Sequence, residues 1–174
     1  MLALRRALTP KEVERKSSKI CKNFFLLPEV SSAKSVMMYV SFDNEVNTFG
    51  IIGELLKKKK KVCVPRISGK SIVAAPLTDL NDLVKGRFGI LVPGKVTDRH
   101  ICHELVVIPG IAFDFNGSRI GFGYGYYDGF LKNFKGFKIG LAYDFQMSEN
   151  LKQSKYDIAM DSVVTENKIF RRTG

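Results

Sequence analysis

One stretch of the sequence gathers residue types that could bind phosphate. Three glycines alternate with larger residues at Gly121, Gly123 and Gly125, with Arg119 before them and Asp128 after them. Such glycines let the backbone approach a ligand closely, and a loop of this kind that opens a helix presents amide groups to an anion. A guanidinium can pair with phosphate or carboxylate oxygens through two hydrogen bonds, and a neighbouring carboxylate could hold Mg²⁺. The stretch therefore predicts a site for a phosphorylated ligand.

The spacing of this loop differs from the two best-known phosphate-binding fingerprints. It reads G-x-G-x-G, whereas a dinucleotide-binding loop reads G-x-G-x-x-G and a P-loop ends in G-K-[ST]. Each feature also has an ordinary structural explanation, because glycines make turns and Asp128 would suit the first turn of a helix. The hypothesis rests on the combination, since an arginine, three glycines, tyrosines and a carboxylate fall within ten residues.

The elements around the loop predict an α/β fold. Thr9 and Glu12 form a capping box at the start of a basic helix that Pro28 ends, and Thr48 is expected to cap a second helix. A further helix is expected to begin near Tyr126, and one or two hairpins are expected over residues 70–92. Short apolar runs predict strands at 35–40, 62–65, 105–110, 137–142 and 162–165. Strands that alternate with helices predict a mainly parallel sheet.

Length and composition predict one soluble domain over residues 1–174. The chain is 45% hydrophobic and 26% charged, which excludes wholesale disorder. No apolar run is long enough to span a membrane, and the first residues become charged too early for a secretory signal. We therefore expect a cytoplasmic protein without a membrane partner, and a monomer.

The net charge of +11 indicates attraction to anionic partners. Five consecutive lysines, Lys57–Lys61, are most simply a solvated last helical turn, because no aromatic residues or glycines interleave with them. We expect no specific binding of nucleic acid. Two alternatives stay open on charge and loop alone: a basic RNA-binding protein, and an enzyme that acts on some other phosphorylated small molecule.

Several segments resemble one enzyme family in order and spacing. Residues 109–128 closely resemble the signature of the 5-formyltetrahydrofolate cyclo-ligase family, also called methenyltetrahydrofolate synthetase. The other matching strings are YVSFDNEVNT at 39–48, GRFGI at 86–90, IGLAYDFQ at 139–146, the pair Tyr156-Asp157, and DSVVTE at 161–166. The resemblance runs from about residue 7 to residue 166, so it covers nearly the whole chain.

The resemblance implies ATP- and Mg²⁺-dependent closure of 5-formyltetrahydrofolate, with or without a polyglutamate tail, to 5,10-methenyltetrahydrofolate. It also implies a three-layer αβα fold similar to that of the sugar-phosphate isomerases and CoA transferases. In the family mechanism the formyl oxygen attacks the γ-phosphate, N10 of the folate adds to the activated carbon, and phosphate leaves. Such chemistry depends on positioning and charge neutralisation more than on a protein nucleophile.

The resemblance also assigns roles to residues of this sequence. Arg119, Tyr126 and Asp128 would be catalytic, and Asp128 and Asp161 would bind magnesium. The folate would be bound by Val40, Glu45, Phe122, Tyr124 and Tyr126. Glu45 would accept hydrogen bonds from the polar end of the folate. ATP would be bound by Arg5, Arg6, Arg119, Ile120, Gly121, Phe122, Gly123, Tyr124, Gly125, Tyr126 and Tyr127.

Two features depart from the family pattern. Relatives usually carry an earlier K-x-x-[LI]-R segment that reaches the ATP phosphates, and the nearest counterparts here are Arg5 and Arg6. Either these arginines substitute for that segment or the start is truncated. Relatives also tend to have Gly or Lys where Tyr124 stands, and its ring could crowd the phosphate loop or stack on a ligand.

Overall fold

The structure is a computed structural model that describes residues 1–69, 71–86, 89–94, 104–152 and 157–172. Its helices are α1 Leu2–Arg6, α2 Pro10–Phe25, α3 Pro28–Ser32, α4 Phe49–Lys57 and α5 Tyr126–Leu131. Its strands are β1 Ser35–Met38, β2 Lys61–Ser68, β3 Ser71–Leu77, β4 Leu83–Lys85, β5 Leu91–Pro93, β6 Leu105–Ile108, β7 Ala112–Asp114, β8 Arg119–Ile120, β9 Phe137–Leu141, β10 Met147–Ser148, β11 Ser162–Val164 and β12 Ile169–Arg171.

Seven strands form the central sheet, in the order β12-β11-β9-β6-β1-β2-β3. The five inner strands pair in parallel, whereas β12 and β3 pair antiparallel at the two edges. This confirms the prediction of an α/β fold with a mainly parallel sheet. A small sheet of β10, β7 and β8 and a β4–β5 hairpin complete the strands of the described residues.

Helices cover both faces of the central sheet. All residues of β1 and β6 are buried, as their unbroken apolar sequences predict. Val36 and Met38 of β1 pack in one cluster with Ile20 of α2, while Met37 packs in a second cluster with Leu131 of α5. Because successive side chains of a strand point to opposite faces, the same strand supplies both cores.

Both predicted helix starts are confirmed, but only the first is capped by a side chain. The capping box of α2 is confirmed, because Thr9 Oγ1 accepts from Glu12 N at 3.3 Å while Glu12 Oε2 accepts from Thr9 N at 2.9 Å. Thr48 is the N-cap residue of α4, as the sequence predicts, but its side chain makes no capping hydrogen bond. Its hydroxyl donates to Tyr39 O at 2.8 Å instead. This hydrogen bond joins the residue after β1 to the start of the helix.

Two hairpins project from the sheet edge where the functional residues gather. The last pair between β1 and β2 is Met37 with Cys63, but β2 continues its pairing with β3 to Ser68. The β2–β3 hairpin therefore extends past the carboxyl end of β1, and the β4–β5 hairpin lies beside it. These are the hairpins expected over residues 70–92. Residues 70, 87 and 88 of that range, and residue 156 of the family resemblance, lie outside the described residues.

Candidate active site

A cavity of about 820 Å³ opens where the parallel strands β1 and β6 end. Tyr39 and Val40 follow β1, Pro109 follows β6, and all three line the cavity. The two projecting hairpins contribute one part of the lining, and the loop at residues 119–128 contributes another. The carboxyl edge of a parallel sheet is the usual place for a ligand in open α/β folds.

The glycine-rich loop is shaped by its glycines for two different reasons. Gly123 and Gly125 have φ angles of 82° and 68°, in the left-handed region that glycine adopts without strain. A Cβ at Gly121 would lie only 2.6 Å from Nη1 of Arg119. The absence of side chains at these positions thus allows both the turn of the backbone and the passage of the arginine side chain.

Arg119 lies beneath the loop and is paired with Asp128. Its Nη2 donates to both carboxylate oxygens of Asp128, at 3.0 and 3.2 Å. Its side chain is 6% exposed, and its buried Nε has no hydrogen-bond partner among the described residues. Its guanidinium carbon also lies 5.6 Å from the centre of the Tyr127 ring. These contacts hold the Arg119 side chain at the cavity, and its Nε–H group has no acceptor among the described residues.

Glu45 presents a half-satisfied carboxylate to the same cavity. Its Oε2 accepts from Phe42 N at 3.2 Å, whereas its buried Oε1 has no hydrogen-bond partner among the described residues. Burial raises the pKa of Glu45 to about 7, although the neighbouring Arg5 acts in the opposite direction. A ligand with N–H donors could satisfy this oxygen and favour its ionised form.

A tight turn carries Glu45 and also fastens α1. Asp43 and Asn44 have positive φ angles of 48° and 55°, a conformation that these two residue types tolerate best after glycine. Asn44 Nδ2 donates to Leu8 O at 2.9 Å, so the turn caps the segment that follows α1. Asp43 Oδ2 accepts from Arg6 Nε at 2.9 Å and from Arg5 Nη2 at 3.3 Å.

The sequence matches the 5-formyltetrahydrofolate cyclo-ligase family over residues 1–166. This chain belongs to that family. It is 31% identical over 176 residues to the 5-formyltetrahydrofolate cyclo-ligase of Escherichia coli K12, covering 95% of this chain and 96% of that protein. It is 28% identical to the probable 5-formyltetrahydrofolate cyclo-ligase of Schizosaccharomyces pombe, covering 91% and 88% of the two chains.

Two solved structures have the same fold. The 5,10-methenyltetrahydrofolate synthetase of Aquifex aeolicus superposes with a TM-score of 0.89 at 37% identity, over 99% of this chain and 90% of that one. The 5,10-methenyltetrahydrofolate synthetase of Mycoplasma pneumoniae superposes with a TM-score of 0.75 at 23% identity, over 95% and 93% of the two chains. Family membership identifies this chain as a ligase rather than a basic RNA-binding protein.

The two residues that the cyclo-ligase resemblance assigned to magnesium lie at opposite edges of the sheet. Asp128 lines the cavity at the carboxyl edge. Asp161 directly precedes β11, which runs parallel to β9, so it lies at the amino edge. There it accepts from Lys138 N at 2.8 Å and pairs with Lys138 Nζ at 2.7 Å. The structure therefore does not bring the two carboxylates together.

The two arginines near the start of this cyclo-ligase are placed differently from each other. Arg6 lines the cavity, and its side chain is 57% exposed. Arg5 is 1% exposed, does not belong to the cavity lining, and faces Glu45 and the Phe122 ring. Of the predicted ATP-binding arginines, the structure brings Arg6 and Arg119 to the cavity surface but not Arg5.

Aromatic rings of the loop stand at the mouth of the cavity. Phe122 lies 6.2 Å from Phe42, and Tyr124 lies 6.1 Å from Tyr126, measured between ring centres. Tyr124 is 74% exposed, so its ring does not crowd the phosphate loop.

Sequence reasoning missed cavity residues outside the family motifs. Arg66 and Ile67 of β2 line the cavity because the β2–β3 hairpin projects past the sheet edge. Asp157 also lines it; this residue lies within a segment that resembles the family, but the resemblance gave it no role. A Pro-Arg pair inside a strand carries no local signal of a site, and only the length of the hairpin places it there.

No helix of the described residues is long and apolar enough to cross a membrane.

Proposed function

We propose that this protein converts 5-formyltetrahydrofolate to 5,10-methenyltetrahydrofolate with cleavage of ATP to ADP and phosphate. One observation supports the proposal beyond family membership. The same cavity is lined by a glycine-rich loop with Arg119 and by the carboxylate of Glu45. The loop suits phosphates, and the unsatisfied carboxylate oxygen suits the paired N–H donors of a pterin. The two substrates can thus meet in one space.

The chemistry requires the formyl oxygen to reach the γ-phosphate of ATP. An oxygen–phosphorus bond forms while the bond to ADP breaks. N10 then bonds to the formyl carbon, and the carbon–oxygen bond breaks, with the N10 proton leaving on the phosphate. Backbone amides at residues 120–125 and the Arg119 guanidinium would stabilise the charge that develops on the phosphoryl oxygens. Tyr126 lines the cavity, and its hydroxyl would donate a hydrogen bond to the same oxygens.

The remaining predicted residues take positions around the two substrates. Arg6 and Tyr127 would complete the ATP side, and Tyr124 would stack on a ligand ring. Val40 and Phe122 would pack on the folate, with Glu45 binding its pterin. Arg5 would act on the folate side through Glu45 rather than by contact with ATP, because it is buried behind that carboxylate.

Magnesium is the metal that we propose for this site, held by Asp128. The carboxylate of Asp128 is 27% exposed beside the glycine-rich loop, and Mg²⁺ is typically held by one or two carboxylates together with substrate phosphates. Within the described ranges no group of three His, Cys, Asp or Glu residues could hold a metal alone. Asp157 is better placed than Asp161 for a second carboxylate. The ion would supply charge neutralisation of the phosphates.

Further properties follow from the family as proposals. We propose a single cyclo-ligase domain over residues 1–174, with the three-layer αβα fold of the sugar-phosphate isomerases and CoA transferases. Two observations support a single domain: the family match covers residues 1–166, and the central sheet contains both β1 near the start of the chain and β12 near its end. A cytoplasmic monomer that accepts polyglutamylated folate and binds no specific nucleic acid completes the proposal.

The proposed function is tested by following the absorbance of the methenyl product. Purified protein is mixed with 5-formyltetrahydrofolate, with ATP and Mg²⁺ present together, singly or not at all. Product should form only when ATP and Mg²⁺ are both present, and ADP should accumulate in equal amount. An Arg119→Ala variant with an unchanged melting temperature should form product at least ~100-fold more slowly. Product formation without ATP would contradict the proposal.

A further inference from the structure

Three arginines line the cavity, and they differ in how their charges are balanced. Arg6 is paired with Asp43 at 2.9 Å, and Arg119 is paired with Asp128 at 3.0 Å. Arg66 is exposed and forms no ion pair with any residue of the described ranges. Of the three arginines, Arg66 is therefore the one whose positive charge is not paired with a carboxylate of the described residues.

The surroundings of Arg66 on the cavity lining are apolar. The other residues that the two hairpins contribute to the lining are Pro65 and Ile67 of the same strand, Ile72 of β3, and Gly86, Ile90 and Val92 of the β4–β5 hairpin. Such a wall offers no hydrogen-bonding side chain to the guanidinium, and it screens a bound charge less than open water does. An anionic group of a ligand would be held there more firmly than on an open surface.

Arg66 and the phosphate loop reach the cavity from different elements. It pairs in register with Val73 of β3, three residues beyond the last pairing of β2 with β1. At about 3.3 Å per residue, the hairpin carries Arg66 roughly 10 Å past that point. Arg119 belongs to β8 and the glycines follow that strand, so the phosphate loop is a different segment of the lining. In the proposed function Arg119 and the loop amides bind the phosphates of ATP, which leaves Arg66 without an assigned ligand group.

We propose that Arg66 binds a carboxylate at the glutamate end of the folate substrate. The proposal rests on the proposed function, because it is that substrate which brings a dianionic glutamate into the cavity. With the pterin at Glu45 and the phosphates at Arg119, the glutamate is the substrate anion that still lacks a partner. An arginine can bind a carboxylate through two parallel hydrogen bonds. Arg66 thereby determines specificity for folates that carry the glutamate over pteroates that lack it.

The test compares a substrate that carries the glutamate with one that lacks it. Wild type, Arg66→Gln and Arg66→Lys are assayed with 5-formyltetrahydrofolate and with 5-formyltetrahydropteroate, and KM for ATP is measured alongside. Arg66→Gln should raise KM for 5-formyltetrahydrofolate about 10-fold, with kcat, KM for ATP and KM for the pteroate unchanged. Arg66→Lys should recover part of the loss. The discrimination should shrink in high salt, because the contact is partly exposed.

A matched control removes the same charge elsewhere. Arg15 of α2 is exposed and lies outside the cavity lining, so Arg15→Gln should leave both KM values unchanged. The proposal would be overturned if Arg66→Gln raised KM equally for the folate and the pteroate, or raised neither. A raised KM for ATP would also overturn it and would indicate a phosphate contact instead. Calorimetric binding of both folates without ATP separates the two claims. A wild type that binds folate without forming product contradicts the proposed function, while the variants still test Arg66 by affinity.

Discussion

Arg5 Nη1 lies 3.7 Å from Glu45 Oε1, and both atoms are buried. Neither atom has a hydrogen-bond partner within the described residues. The arginine comes from the first helix, and the carboxylate comes from the turn after β1. This pair connects the start of the chain to the proposed pterin site, and it makes the charge of Glu45 depend on Arg5.

Glu45→Gln should chiefly weaken the binding of folate. The amide keeps the shape of the side chain but loses the charge that strengthens hydrogen bonds from N–H donors. Loss of such a contact costs roughly 1.5–3 kcal/mol, so the folate KM should rise about 10- to 150-fold. KM for ATP should change little. Steady-state kinetics with each substrate varied in turn measures both values, and unchanged folate kinetics would leave Glu45 as an ordinary turn residue.

The pH dependence of folate use should report the ionisation of Glu45. Burial raises the pKa of this carboxyl to about 7, and only the ionised form accepts two N–H donors. The kcat/KM for folate should therefore rise with pH through about 7. The charged and titratable groups that act on Glu45 or are affected by it are Arg5, Asp43, Tyr39, Tyr127 and Tyr143.

Arg5→Met should move this acid limb to higher pH. Removing the cation leaves the buried carboxylate without its neighbouring positive charge, so the apparent pKa should rise by about 1–2 pH units. The profile of kcat/KM against pH measures the shift, and Arg15→Met serves as the control for a lost surface charge. An acid limb that stays in place in a folded Arg5→Met protein would show that Arg5 does not govern Glu45.

Asp128→Asn separates a metal ligand from a structural charge. The carboxylate holds Arg119 at 3.0 Å, and an amide oxygen can still accept that hydrogen bond. Stability should fall by about 1–3 kcal/mol, because the buried guanidinium of Arg119 keeps a hydrogen bond but loses its charged partner. Turnover should fall by orders of magnitude, because Mg²⁺ prefers carboxylate oxygen, and added magnesium should restore part of it. Near-normal turnover with an unchanged magnesium dependence, in a variant that is folded at the assay temperature, would exclude the metal role.

Gly117→Ala should destabilise the segment that precedes the phosphate loop. Gly117 has a φ of 82°, and a Cβ there would lie 2.2 Å from Met160 O. The strained backbone and the clash should together cost at least ~2 kcal/mol. Gly53→Ala is the matched control, since a Cβ there meets Leu80 Cδ1 at an ordinary 3.8 Å inside α4. That change should stabilise by about 0.5–1 kcal/mol, and equal melting temperatures would contradict both assignments.

Local sequence signals predict the parts of this fold that local physics determines. The capping box at Thr9 and the buried strands depend on neighbouring residues, and the structure contains them. The glycine-rich loop was also predictable from the sequence, because its glycines allow positive φ angles and leave room for a nearby side chain.

Other features depend on how distant elements meet. The Arg5–Glu45 contact joins residues 40 positions apart, and the role of Arg66 depends on how far a hairpin projects. The distance of Asp161 from the cavity has a simple physical reason. A residue that directly precedes a parallel strand lies at the amino edge of the sheet, whereas ligands bind at the carboxyl edge. The position of Asp161 directly before its strand therefore indicated that it would lie away from the cavity.

The most direct test of the central claim follows the formyl oxygen itself. 5-Formyltetrahydrofolate labelled with ¹⁸O in the formyl group is converted in unlabelled water with ATP and Mg²⁺, and the released phosphate is analysed by mass spectrometry. Attack of the formyl oxygen on the γ-phosphate predicts one ¹⁸O atom in each phosphate released, with one ADP and one methenyl product formed for each. Unlabelled phosphate, or methenyl product formed without ADP, would contradict the account.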